Sequence, residues 1–253
     1  MKVALITEYD GTEFVGFQSQ NNGRAVHDVL TSALEEIYKT KIHLEGCSRT
    51  DSGVHARGHV SSVAVPFYIP EDKLPIAINA HLPNDLSVRK AVYVKDDFSA
   101  RFNTLGKRYI YRLYSSPLRS PLKDRYSYHT TYKLDVEKMN IAAKLMEGEH
   151  DFEAFCASGG SQVTTVRTLF SVNVFEKDNG LEIEVQGNAF LYNMVRIIAG
   201  TLLEVGYGKI DPCSITDIIE SKDRKMAGRT LPPQGLTLEE VYYDWESAKV
   251  KES

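Results

Sequence analysis

The sequence predicts an α+β fold in two similar-sized halves that form a largely antiparallel sheet with helices on one face. Three observations lead there. Short runs of β-branched and aromatic residues, bounded by Gly, Pro and Asn, recur in both halves. Apolar residues at helical spacing lie between those runs. Residues 168–188 read as two neighbouring strands turning at "KDNG", an antiparallel hairpin. With 253 residues the chain can bury a sizeable core, and the expected division is 1–100 and 101–253.

Taken in order, residues 2–9, "KVALITEY", are a strand, and "DGTEFVGFQSQNNG" is a Gly/Asn-rich loop. Val26, Val29, Leu30, Ala33, Leu34 and Ile37 fall at helical spacing and predict an amphipathic helix. Strands are expected near 41–47 and 59–66, flanking "GCSRTDSGVHARGHV". A helix over 71–81 is opened by Pro70 and closed before Pro83, and "LSVRKAVYV" is a strand. The second half opens with the strand "KRYIYRLYSS", followed by a helix over 135–147 and the hairpin. A long helix from about 190 to 205, a short one near 214–221 and a strand, "LTLEEVYYD", complete the chain.

Composition is that of an ordinary globular protein, 42% hydrophobic and 25% charged. No apolar run reaches the roughly 18–20 residues that span a bilayer. The opening "MKVALITEYDG" has too short an apolar stretch for a signal peptide and lacks a small-residue cleavage pattern, so a cytoplasmic protein is expected. Cys47, Cys156 and Cys213 are odd in number and form no CxxC, which argues against a disulfide framework or a zinc site. Buried thiols are expected for all three.

Net charge is −4, which alone does not indicate a nucleic-acid partner. Its distribution is uneven. Arg101, Lys107, Arg108, Arg112, Arg119, Lys123 and Arg125 stand against Asp124 alone between 101 and 125, a local excess of six positive charges. Such a stretch is either a solvated strand face or a surface for phosphates.

Asp51, Arg196 and Tyr109 are the candidates for chemistry. "TDSG" is a good turn sequence, so Asp51 has a plain role in bending backbone. Arg49 and Arg57 nearby would also keep its carboxylate ionised, fit to act as nucleophile or electrostatic stabiliser. Arg196 interrupts the nearly all-apolar "NAFLYNMVRIIAGTLLEVG", on the side opposite Phe190, Met194 and Ile198 and beside Asn193 and Gly200. A guanidinium there either pairs with a carboxylate or snorkels to water. In "RYIYRLY", strand alternation groups Tyr109, Tyr111 and Leu113 on one face. Core packing is the usual fate of such a set, though Tyr109 stands at a basic edge where a ring can stack on a base.

Several chemistries fail for want of residues. The chain has no GxxxxGK[ST] loop, no GxGxxG after a strand, no HExxH and no zinc-deaminase pattern. His55 and His59 are four apart in strand-like sequence, a poor metal pair. Neither a metal nor another cofactor is expected, nor a membrane partner.

"SRTDSGVHARGHV" resembles the active-site motif of the TruA-type tRNA pseudouridine synthases. The likeness continues, in order, through "EYDGTEFVGFQSQ" (Phe17 standing where Trp is more usual), "NAHLPNDLSV", "DDFSARFNTLGKRYIYRLY", "AFLYNMVRIIAGTLLEVGYG" and "RTLPPQGLTLEEVYY". The resemblance implies a cofactor-free homodimer with the pseudouridine synthase fold, holding tRNA in a basic cleft and acting on uridines 38–40 of the anticodon arm. It implies that Asp51 is the catalytic aspartate, that Arg49 helps displace the target base, and that Arg196 pairs with Asp51. Tyr109 would stack on the uracil and stand as candidate base for the C5 proton. Arg101, Lys107 and Arg108, with Tyr109, would bind substrate, and "FSARF" and "GGSQV" fall where the family contacts RNA. A same-family enzyme for another RNA, such as ribosomal RNA, and a catalytically silent RNA-binding module are the alternatives.

Overall fold

A computed structural model describes residues 1–160, 163–177 and 180–250. The chain divides into two compact units, Met1–Leu105 with the residues from Leu238 onward, and Gly106–Thr237. The segment from Leu238 onward belongs with the first unit. It returns because β10 (Leu236–Tyr242) lies beside β3 (His55–Ala64) in the first unit's sheet.

In the first unit the strand order is β4 (Leu86–Val94), β1 (Lys2–Tyr9), β3, β10, with β2 (Leu44–Gly46) also paired to β3. β1 runs antiparallel to both neighbours, Leu5 facing Ser61 on β3 and Ala91 on β4. The helix α1 (Val26–Tyr38) buries Val26, Leu30, Ala33 and Leu34 of the six residues that helical spacing selects, while Val29 and Ile37 are half-buried. It ends at Lys39 in the left-handed region, whose N–H donates to the Glu35 carbonyl. The helix α2 (Leu74–Asn79) is shorter than the predicted 71–81 because residues 71–73 are turn, and it buries Leu74 and Ile78. A last turn, α7 (Trp245–Ala248), follows β10.

In the second unit the order is β5 (Gly106–Ser115), β9 (Gly180–Gly187), β8 (Val166–Lys177), β7 (Gly148–Asp151), all antiparallel. β6 (Tyr128–Thr130) runs parallel along β5. The predicted hairpin is present, Lys177 facing Gly180, while Asp178 and Asn179 of its turn lie outside the described residues. The predicted 135–147 helix is α4 (Val136–Lys144), capped by the Asp135 carboxylate on the Lys138 N–H; it ends three residues earlier than expected, and β7 follows from Gly148. Asn140 of α4 ties to β8 twice, donating to the Val174 carbonyl at 2.7 Å and accepting its N–H at 2.9 Å. The buried helix α5 (Met194–Gly206) starts four residues later than predicted, because Asn193 is left-handed (φ 59°) and cannot continue a helix backward. A short α3 (Pro121–Asp124) and α6 (Ile215–Ser221) complete the unit.

One expectation is corrected. Only Cys47 is a buried thiol; Cys156 is half-buried and Cys213 is exposed, in a short turn opened by Asp211, which accepts the Cys213 N–H at 2.8 Å. Several cations of the basic stretch are paired with acids. Arg108 pairs with Glu184 at 3.2 Å, Arg112 with Glu182 at 2.9 Å and Arg119 with Asp124 at 2.6 Å, so β9 supplies acids to β5 across the strand pair. Among the described residues no helix is long and apolar enough to cross a membrane, and no three His, Cys, Asp or Glu side chains gather in a metal-binding group.

Candidate active site

Asp51 occupies the first position of a tight turn. The Val54 N–H donates to the Asp51 carbonyl at 3.1 Å, and Gly53 at the third position has φ 78°, the type II pattern that calls for glycine. The strand β3 then begins at His55, so the second part of "GCSRTDSGVHARGHV" belongs to the sheet and not to a loop. The carboxylate is half-buried, Arg49 is exposed, and Thr50 between them is buried.

The backbone of residues 11–17 holds this turn from beneath. The Phe17 N–H donates to the Thr50 carbonyl at 3.1 Å, and the Phe14 carbonyl accepts the Gly53 N–H at 3.2 Å and the Ser52 hydroxyl at 3.3 Å. Gly16 passes so close that a Cβ there would sit 2.6 Å from the Thr50 carbonyl oxygen. The Tyr9 hydroxyl meets the Thr50 hydroxyl at 2.7 Å. Each of these anchors grips main chain, or the side chain beside Asp51.

The histidines belong to the same scaffold. His55 Nδ1 accepts the Gly11 N–H at 3.0 Å, the structural hydrogen bond that suits a buried imidazole. His59 Nε2–H donates to the Ser48 carbonyl at 3.0 Å, and its ring stacks on Phe17, centroids 4.0 Å apart and planes 21° apart. Phe17 therefore has a defined seat, with its ring against Gly46, where a Cβ would meet it at 2.3 Å. Arg57 lies apart from this cluster in its interactions; Glu239 on β10 stands 3.6 Å from its Nη1.

In the second unit, Tyr109 faces Val185 across the β5–β9 pair and is 7% exposed, its ring edge-on to Phe190 at 5.1 Å. Tyr111 and Leu113 on the same face are fully buried, and Ile110 and Tyr114 opposite are buried as well. Lys107 is buried and Arg108 is held by Glu184, whereas Arg101, in the first unit, is exposed, its guanidinium 5.2 Å from the Phe102 ring.

Arg196 lies in the first turn of α5 and is half-buried. Its Nε–H donates to the Leu231 carbonyl at 2.7 Å and its Nη1–H to Asn193 Oδ1 at 2.6 Å, so it does not simply snorkel. Next to Leu231, the Pro232 carbonyl accepts the Tyr111 hydroxyl at 2.8 Å. Burial raises the Tyr111 phenol far above its ordinary range, and the positive charge of Arg196 partly opposes that rise. Of the "GGSQV" segment, Ser161 and Gln162 lie outside the described residues.

Residue types and motifs point to Asp51, Tyr109 and Arg196, but not to what holds them. Tyr9, Thr50 and Phe14 are distant from Asp51 in sequence or unremarkable in type. Asn193 carries the one available signal, an Asn just ahead of an apolar helix.

A model of the tRNA pseudouridine synthase family matches residues 5–103 and 142–244. Arg49, Asp51, Arg101 and Arg196 fall inside the match, and Lys107, Arg108 and Tyr109 fall in the gap between its two parts. A tRNA pseudouridine synthase A of Acetivibrio thermocellus is 47% identical over 241 residues, 95% of this chain and 99% of that one. The protein of the same name from Ruminiclostridium cellulolyticum is 45% identical, over 96% of this chain and 99% of its own. That of Bacillus subtilis is 44% identical over 246 residues, 96% of this chain and all of its own. Matched on both sides of the gap, and alike along its length to relatives of the same extent, the chain belongs to the tRNA pseudouridine synthase family.

Proposed function

We propose that the chain isomerises uridine to pseudouridine in tRNA, at positions 38–40 of the anticodon arm. The observation that carries this reading is the Asp51 turn: a half-buried carboxylate beside an exposed arginine, on backbone locked from below. In the reaction the C1′–N1 bond breaks, the uracil turns, and a C1′–C5 bond forms. C5 loses a proton and N1 gains one, so atoms and electrons balance without a co-reactant. Asp51 meets the electron-poor sugar as carboxylates do in glycoside cleavage. Tyr109 gives the detached uracil a stacking surface and takes the C5 proton. Arg196 pairs with Asp51 and keeps it ionised. Arg49 displaces the base from its stack, a step that costs a few kcal/mol and is offset by phosphate contacts.

Three further parts of the reading rest on the family resemblance: a homodimer, a tRNA cleft lined by cations, and action in the cytoplasm. Among the candidate RNA contacts Arg101 carries most weight, because Lys107 is buried and Arg108 is already paired. Arg101→Ala is expected to weaken tRNA binding about three- to tenfold and flatten its salt dependence by one phosphate contact, with kcat nearly unchanged. A fall in kcat with unaltered affinity would remove Arg101 from the binding surface.

Incubation with tRNA carrying tritium at uracil C5 tests the activity. Tritium should appear in solvent with multiple turnover, and pseudouridine should map to positions 38–40. No release from tRNA, or release from ribosomal RNA alone, sinks the reading. Tight tRNA binding with no release would mark the chain as a silent RNA-binding module.

A further inference from the structure

Three non-glycine residues among the described ones have positive φ: Lys39, Asn193 and Lys222. Two of them end helices, where a left-handed residue is ordinary. Asn193 instead begins one. It stands at the N-cap of α5 with φ 59° and ψ 8°, where the backbone is usually extended, and its side chain makes no capping hydrogen bond. The strain is therefore not repaid by satisfying the helix end. The amide oxygen points elsewhere, to Arg196 Nη1 at 2.6 Å.

The other side of the guanidinium is equally prepared. The Leu231 carbonyl accepts Arg196 Nε–H at 2.7 Å, and the Leu231 N–H donates back to the Arg196 carbonyl at 3.2 Å. That loop is pressed on α5: a Cβ on Gly200 would lie 1.9 Å from the Arg229 carbonyl oxygen, and Thr201 Oγ1 accepts the Gly228 N–H at 2.9 Å. The Tyr111 hydroxyl on the Pro232 carbonyl fixes the next peptide. Leu231 is thus an acceptor on a rigid support, and Asn193 is the second point that defines the guanidinium plane. The two acceptors take different nitrogens of the fork, Nε and Nη1, and together they set the direction in which it points.

From this we infer that Asn193 is a positioning residue for the reaction: it trades an ordinary helix start for an amide that aims Arg196. Strained backbone at a functional site is a known pattern, and here the outlier and the aiming side chain are the same residue. The inference rests on reading Arg196 as the cation that pairs with the catalytic carboxylate.

Asn193→Gly separates the two roles of the residue, since glycine accepts the left-handed conformation and removes only the amide. Measured by tritium release, N193G should lose about ten- to a hundredfold in kcat with KM for tRNA and the melting temperature near wild type. In an Arg196→Lys background, which cannot hold a fork, N193G should have no further effect. The same loss in both backgrounds would mean that Asn193 acts through the helix start, and would overturn the inference. So would a kcat for N193G equal to wild type. An R196K enzyme with wild-type kcat would instead overturn the role of Arg196 itself, and the inference with it.

Discussion

Asp51→Asn will stop tritium release from C5-labelled tRNA, lowering kcat by at least about 10⁴-fold, while the protein melts within about 2 °C of wild type. The two halves of this expectation have separate causes. The turn is held by the Val54 N–H on the Asp51 carbonyl, by Gly53 on Phe14 and by Phe17 on Thr50, all of which survive a change of side chain. Asparagine is itself a favoured turn residue and suits the same backbone conformation. What asparagine lacks is the negative charge that must face the sugar as C1′ loses N1. tRNA affinity should stay within a few-fold, because phosphate contacts and not this carboxylate dominate binding. The opposite pattern, a large fall in melting temperature with turnover retained, would return Asp51 to the role of an ordinary turn residue.

The contrast between legible and hidden parts follows the range of the interactions. The strand β1 and helix α1 are readable almost to the residue, because alternation and helical spacing are local properties of the chain. The strand β3 reads four residues short, since Arg57 and Gly58 look like loop yet lie within a strand that runs beside β10. The start of α5 is misplaced because hydropathy does not register a left-handed asparagine. The pairing within the basic stretch is hidden for a related reason. Arg108 and Arg112 find Glu184 and Glu182 more than sixty residues away, beyond any window of composition. The catalytic candidates are legible by type and motif, but their supports are not: Tyr9, Phe14 and Gly16 reach the Asp51 turn from a segment some forty residues earlier.

That support leads to a large stability effect from a single methyl group. Gly16 has φ 114°, a conformation that side chains rarely adopt, and an added Cβ would lie 2.6 Å from the Thr50 carbonyl oxygen and 3.3 Å from the Asp51 carbonyl carbon. Backbone strain and overpacking each cost about 1–3 kcal/mol, so Gly16→Ala should destabilise by roughly 3–5 kcal/mol. For a chain of this length that is a fall of roughly 10 °C in melting temperature. The atoms struck are main chain, so no rotamer can relieve the contact. Either the 11–17 segment lifts or the Asp51 turn does. Lifting the segment pulls on α1 as well, because the Gly16 carbonyl accepts the Val26 N–H at 3.1 Å. Moving the turn displaces the carboxylate, and a shift near 1 Å is enough to lower kcat about tenfold or more. Gly208→Ala is the control: φ there is 73°, yet nothing lies within 4 Å of an added Cβ. It should cost about 1 kcal/mol by strain alone and leave kcat at wild type. If Gly16→Ala merely matched Gly208→Ala in both melting temperature and kcat, the 11–17 segment would not be what holds Asp51 in place.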